Sequence, residues 1–158
     1  MKIILNTNKG DITLELDAIN TPNTVANFIK LATSGFYNGV KFHRVIKGFM
    51  IQGGDPLTKD DSMERMWGTG DPGYKFNDEI GPNNKNNKYT ISMANSGPNT
   101  NGSQFFINTN DNNFLDTKHT VFGKVENGTD VVDMIESTPV NGNDRPTTPV
   151  VIGSVTIQ

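Results

Sequence analysis

Apolar residues recur along the chain at two spacings, which divide it into short strands and two helices. Residues 2–7 and 11–16 are strand-like runs on either side of Asn8-Lys9-Gly10, a glycine-containing loop that predicts a hairpin. Thr21-Pro22 supplies an N-cap with proline at the first helical position. Val25, Phe28, Ile29 and Ala32 follow at helical spacing, and Gly35 is placed to end that helix. Further short strands are predicted over 42–46, 50–54, 90–93, 104–108, 121–125 and 150–157. A second helix is predicted over 130–137, with Val131, Met134 and Ile135 on one face and Pro139 as its stop.

Many short strands and two separated helices predict a mostly antiparallel barrel or sandwich, with the helices over its open ends. The stretches 56–87 and 96–102, rich in Gly, Pro and Asn, read as surface loops. No internal repeat or second domain boundary is visible, and 158 residues suit one domain with one core.

Composition narrows the chemistry. The apolar fraction is 34% and the formal net charge −3, with 14 basic against 17 acidic residues and no basic stripe, so nucleic acid is not the expected partner. With no cysteine, disulfides, thiolate catalysis and Cys-based metal sites are excluded. The apolar start, residues 1–6, is too short for a signal peptide, and no stretch reaches membrane-spanning length. The expected setting is soluble and cytoplasmic.

Some local patterns carry little. Residues 68–73, GTGDPG, match the glycine spacing of a dinucleotide-binding turn, but no strand precedes them and no helix follows, so a loop is expected. Asp55, Asp60, Asp61 and Glu64 lack calcium-loop spacing and read as a solvated acidic loop. His43 and His119 are too few for a typical histidine-based zinc site. Asn101 and Asn127 open glycosylation sequons, idle in a cytoplasmic protein.

Three segments stand apart: FHRVIKGFMIQGGD at 42–55, SMANSGPNTNGSQFFI at 92–107 and FLDTKHTVFG at 114–123. Together they resemble the signature of the cyclophilin family, and the resemblance runs from the first predicted strand to the last. It implies a closed eight-stranded antiparallel barrel capped by two helices, with an active groove on one outer face. It implies peptidyl-prolyl cis–trans isomerase activity that assists protein folding, without cofactor or metal. By position, the implied catalytic residues are Arg44, Phe49 and Gln52. The implied substrate-binding residues are Met50, Ala94, Asn95, Gln104, Phe106, Phe114, Leu115 and His119. The implied partners are proline-containing peptides and unfolded or folded protein clients, met by a monomer, with cyclosporin A as inhibitor. Phe114 stands where many members carry tryptophan, which removes an indole N–H donor and bears on cyclosporin binding. Ser96 replaces a common alanine, and the loop over 59–73 is individual to this chain.

The residue types suit the reaction. Resonance resists rotation about a peptide bond by about 18–20 kcal/mol. No covalent bond breaks, so nucleophile, metal and general base are all dispensable. What helps is tighter binding of the twisted amide than of either planar form. Twisting gives the proline nitrogen lone-pair character, and a fixed cationic donor near it or the adjoining carbonyl favours that state. Arginine, always charged and with a fork of donors, fits the task. Each ~1.36 kcal/mol of selective stabilisation is about tenfold in rate, so roughly 5–7 kcal/mol makes a substantial catalyst.

Phe49, Met50, Phe106, Leu115 and Phe114 would form an apolar socket for the proline ring. Strand alternation puts Gln104 and Phe106 on one face, with Phe105 and Ile107 on the other. Gln52 and Gln104 would orient Arg44 or bond the substrate, and backbone groups of Asn95 would dock an extended peptide. His43 should point away from Arg44 into a structural role, and His119 is assigned to the pocket rim. The alternatives are a proline-peptide-binding scaffold with little catalysis and a lipocalin-like ligand barrel. The second gives no account of the long motifs.

Overall fold

The computed structural model describes residues 1–158. Alternation turns one face of each strand inward. The elements in chain order are β1 (Lys2–Thr7), β2 (Gly10–Leu16), α1 (Pro22–Thr33), β3 (Arg44–Ile46), β4 (Met50–Gly53), β5 (Thr90–Met93), β6 (Phe105–Asn108), β7 (Val121–Asn127), α2 (Thr129–Glu136) and β8 (Ile152–Ile157). The strands form one antiparallel sheet in the order β3-β4-β6-β5-β7-β2-β1-β8.

This is the expected eight-stranded barrel, but its closure differs. Between the terminal strands β8 and β3 there is no continuous ladder, only the single bridge Lys41↔Val151. It is flanked by hydrogen bonds from Phe42 N–H to Val150 (3.0 Å) and from Ile152 N–H to Val40 (2.9 Å). Val45 N–H also donates to the Asp144 carbonyl at 2.8 Å. Regular strand therefore begins at Arg44 and Ile152, inside the predicted spans 42–46 and 150–157.

The interior is filled from every strand, with an aromatic centre. Phe105 lies 5.6, 5.7 and 6.1 Å from the rings of Phe28, Tyr37 and Phe42. Tyr37, Phe28, Phe42, Phe105 and Phe122 are all fully buried. Both helices contribute, with faces shifted from those predicted. In α1, Leu31 joins Val25, Phe28 and Ala32 in the core, and Ile29 packs at its margin. In α2 the buried stripe is Val131, Val132 and Ile135, while Met134 is 53% exposed.

The start of α1 also differs. Thr21 occupies the N-cap position, but its hydroxyl donates to the Asp17 carbonyl at 2.6 Å and does not cap. Glu79 caps instead, accepting the N–H groups of Asn23 (3.3 Å) and Thr24 (2.7 Å). A carboxylate there also complements the helix dipole. At the other end Gly35, with φ of +78°, terminates the helix as predicted.

The segment 56–87 contains two short 3-10 turns, Pro56–Lys59 and Asp61–Met66. Asp60, Asp61 and Glu64 are exposed, but Asp55 is completely buried, so the reading of a solvated acidic loop fails for it. Its carboxylate takes the N–H groups of Leu57, Gly68 and Gly70, replacing the lost water. The glycine-rich stretch 68–73 is a loop, as expected. Asn101, the first sequon asparagine, is fully buried and donates to Phe76 and Asp78.

His43 is 4% exposed, and its Nδ1 has no partner. Burial, helped by the nearby Arg145 and Arg44 charges, lowers its pKa to about 4 against a weaker opposing pull from Asp55. An unfolded histidine titrates near ~6.5, so below that pH the unfolded chain holds the extra proton and gains population. Stability is expected to fall as pH drops from about 6.5 to about 4, by about 3 kcal/mol in all. Urea midpoints at pH 7 and 4.5 test this: they should separate in the wild type and converge in His43→Phe. Equal midpoints in the wild type contradict the assignment.

Candidate active site

The register of β3, β4 and β6 sets Arg44 opposite Gln52 and Gln52 opposite Phe106. Val45, Ile51, Phe105 and Ile107 point inward, so Arg44, Met50, Gln52 and Phe106 stand on the barrel's outer face. Side chains facing outward from a barrel are usually solvated, yet Met50 and Phe106 are only 2% and 4% exposed. Leu115 covers them from a short 3-10 turn, Asn113–Leu115, and Ile46, Phe49 and Ala94 complete a second apolar cluster apart from the interior. The result is a shallow socket with Arg44 at its edge.

The turn bearing Leu115 rests on buried amides. Asn112 donates to the Phe49 carbonyl (2.9 Å) and to Asn108 Oδ1 (2.8 Å). Asn108 donates to Asn86 Oδ1 (3.1 Å) and Thr90 Oγ1 (2.9 Å), and Ser92 also reaches Asn86 Oδ1, at 2.6 Å. Asn86 N–H in turn donates to the Asp116 carboxylate at 2.6 Å. Burial raises the Asp116 pKa, but the hydrogen bonds from Asn86 and Asn113 outweigh it and hold the carboxyl below its usual range. Because buried amides must stay paired, this network fixes the turn and hence the socket wall.

His119 stands at the rim. Its ring meets Phe106 edge-on at 5.3 Å, and Nδ1 lies 2.9 Å from the Met93 carbonyl. A carbonyl only accepts, so Nδ1 carries a hydrogen and donates it to Met93. Asn95 Nδ2, also near Nδ1, therefore donates to the Lys118 carbonyl at 2.8 Å instead. Ala94 N–H bonds the Gln104 carbonyl at 3.0 Å, whereas the backbone N–H and C=O of Asn95 have no protein partner. Phe114 is 68% exposed and stacks on Phe49 at 6.0 Å, at the groove's outer margin.

Arg44 Nη1 donates weakly to Gln52 Oε1 at 3.4 Å, and its other N–H groups face no protein acceptor. Gln52 Nε2 donates to Gln104 Oε1 at 3.0 Å. The implied residues thus collect about one groove, with Met50, Phe106 and Leu115 at its floor and Phe114 at its edge. Beyond Gln104 the groove opens into a polar cavity of about 380 Å³, lined in part by Gly70, Tyr74, Asn95 and Ser96.

Sequence reasoning missed the contribution of the loop over 68–70: Gln104 Nε2 donates at 3.0 Å to the carbonyls of both Gly68 and Gly70. The paired glycines were the available signal. A loop reading assigns them no bonding partner, because the partner lies more than 30 positions away in the chain.

Comparison with known proteins agrees with this fold. Residues 2–157 match the family model described as cyclophilin type peptidyl-prolyl cis-trans isomerase. The chain is 48% identical to the probable peptidyl-prolyl cis-trans isomerase A of Mycobacterium leprae, covering 97% of this chain and 90% of the relative. It is 46% identical to peptidyl-prolyl cis-trans isomerase CYP18-1 of Arabidopsis thaliana, covering 99% and 96% of the two chains. The crystal structure of a Cryptosporidium parvum cyclophilin, determined in the presence of the dipeptide Ala-Pro, superposes with a TM-score of 0.92 at 35% identity and covers 100% of this chain and 99% of that one. With its barrel and its sequence in agreement along nearly the whole length, the chain belongs to the family of cyclophilin-type peptidyl-prolyl cis–trans isomerases.

Proposed function

We propose that the Arg44 groove is where this chain turns Xaa-Pro bonds, and that it does so by non-covalent stabilisation of the twisted amide. The observation that carries this reading is the placement of an arginine with free donors beside an apolar cluster on the outer face of a barrel. Met50, Phe106 and Leu115 seat the proline ring, with Phe49 and His119 beside them. The free backbone of Asn95 pairs with the peptide as an added strand, holding one side while the other turns. Arg44 then meets the nitrogen lone pair or the carbonyl as conjugation is lost. Selective stabilisation of roughly 5–7 kcal/mol corresponds to about 10⁴–10⁵ in rate.

Proline-containing segments of unfolded or folded clients fit an open groove of this kind, bound by the monomer. Residues flanking the proline meet the polar cavity beside Gln104. Phe114 offers cyclosporin A no N–H donor at the outer margin.

Exchange NMR on a short Xaa-Pro peptide tests the reading. Substoichiometric protein should produce saturable cis–trans exchange, with resonance changes at Met50, Phe106, Leu115 and His119. The same resonance changes without exchange would identify a binding scaffold and overturn the catalytic reading.

A further inference from the structure

The amide chain behind Arg44 does not end at Gln104. The two glycines whose carbonyls Gln104 holds are gripped from the other side by Asp55. Gly68 and Gly70 N–H groups donate to its Oδ2 at 2.5 and 3.2 Å, and Leu57 N–H donates to Oδ1 at 2.8 Å. Asp55 is fully buried, and isomerisation makes no direct call on it. The fit admits no side chain at position 70, where a Cβ would lie 2.0 Å from Asp55 Oδ1.

This grip has a direction. Carbonyl oxygens only accept, so Gln104 must give Nε2 to Gly68 and Gly70, which uses both of its amide hydrogens. Its oxygen is thereby turned to Gln52, whose Nε2 donates to it. The oxygen of Gln52 is then left facing Arg44. Reversing either amide would set two donors or two acceptors against each other. The loop that Asp55 anchors therefore decides which way both glutamines point, and so presents Arg44 with an acceptor.

We infer that Asp55 is a positioning residue for Arg44, acting through Gly68, Gly70, Gln104 and Gln52. The inference rests on the catalytic reading of Arg44. A carboxylate is needed because both oxygens accept N–H groups. Asparagine would turn its NH₂ toward either Leu57 or the glycines.

The test is Asp55→Asn followed by exchange NMR on the same proline peptide. The expected result is a kcat about tenfold lower, a KM within about twofold of wild type and a displaced Arg44 Nε–Hε resonance. In an Arg44→Ala background the same substitution should produce no further loss, because the group it positions is gone. An unchanged kcat, or an equal loss in the Arg44→Ala background, overturns the inference. Gln104→Leu covers the case in which Asp55→Asn does not fold. It cuts the relay while leaving Asp55 its grip on the loop, and should give the same loss and the same displacement; wild-type kcat in that variant is equally fatal. A fast Arg44→Ala enzyme sinks the catalytic reading itself. A slow one combined with normal kcat in the Asp55 or Gln104 variant rejects the positioning role alone.

Discussion

Replacing Arg44 by alanine is expected to lower kcat/KM for Xaa-Pro exchange by about 10²–10³-fold, the loss typical of one preorganised donor at a developing charge. The loss should fall on kcat. Most Arg44 donors are free in the unliganded groove, and in the proposed mechanism they act as the amide twists and do little for the planar ground state. Stability should change by less than about 0.5 kcal/mol, since the side chain is exposed and makes one weak hydrogen bond. Arg44→Lys should recover only part of the rate, because an ammonium is a point charge without the guanidinium's planar fork. The check is exchange NMR on one peptide with all three proteins, alongside thermal unfolding. Wild-type turnover in Arg44→Ala removes the arginine from the mechanism.

Phe105 and Phe106 are adjacent in sequence and should fail in different ways. Phe105→Ala empties the centre of the barrel, where its ring is shared by Phe28, Tyr37 and Phe42, and should cost about 3–5 kcal/mol. Turnover per folded molecule should hardly change. Phe106→Ala removes the floor of the outer socket, where the cluster has only two other buried members, Met50 and Leu115. Its stability cost should be smaller, and peptide affinity should drop at least about tenfold. Urea unfolding and peptide titration on both variants separate the effects. Matching losses in both assays for both variants would mean that the two clusters are not independent.

That contrast was legible in the sequence, because period-two alternation alone separates Phe106 and Gln104 from Phe105 and Ile107. The succession of strands and the two helices along the chain followed from the same spacing. Arg44 was different, since one arginine on a strand reads as an ordinary surface charge until the surrounding segments are matched to a family. Contacts between distant segments were not legible. Glu79 caps a helix that begins 57 positions earlier at Pro22, and Asn86, Asn108 and Asn112 meet under the socket. Asp55 looked like one acid among four because burial depends on what folds over a residue. Local periodicity records which face a side chain takes, not which remote donor will meet it.

The seam of the barrel runs beside the strand that carries Arg44. On one side β3 has three paired residues of β4; on the other it has one hydrogen bond from Val45 and, just before the strand, a single bridge at Lys41. Any substitution that lengthened this seam would strengthen the barrel and stiffen the edge that carries Arg44 in the same act. Stability and adaptability are therefore in direct trade here, and the room for improving one without the other lies elsewhere in the sheet.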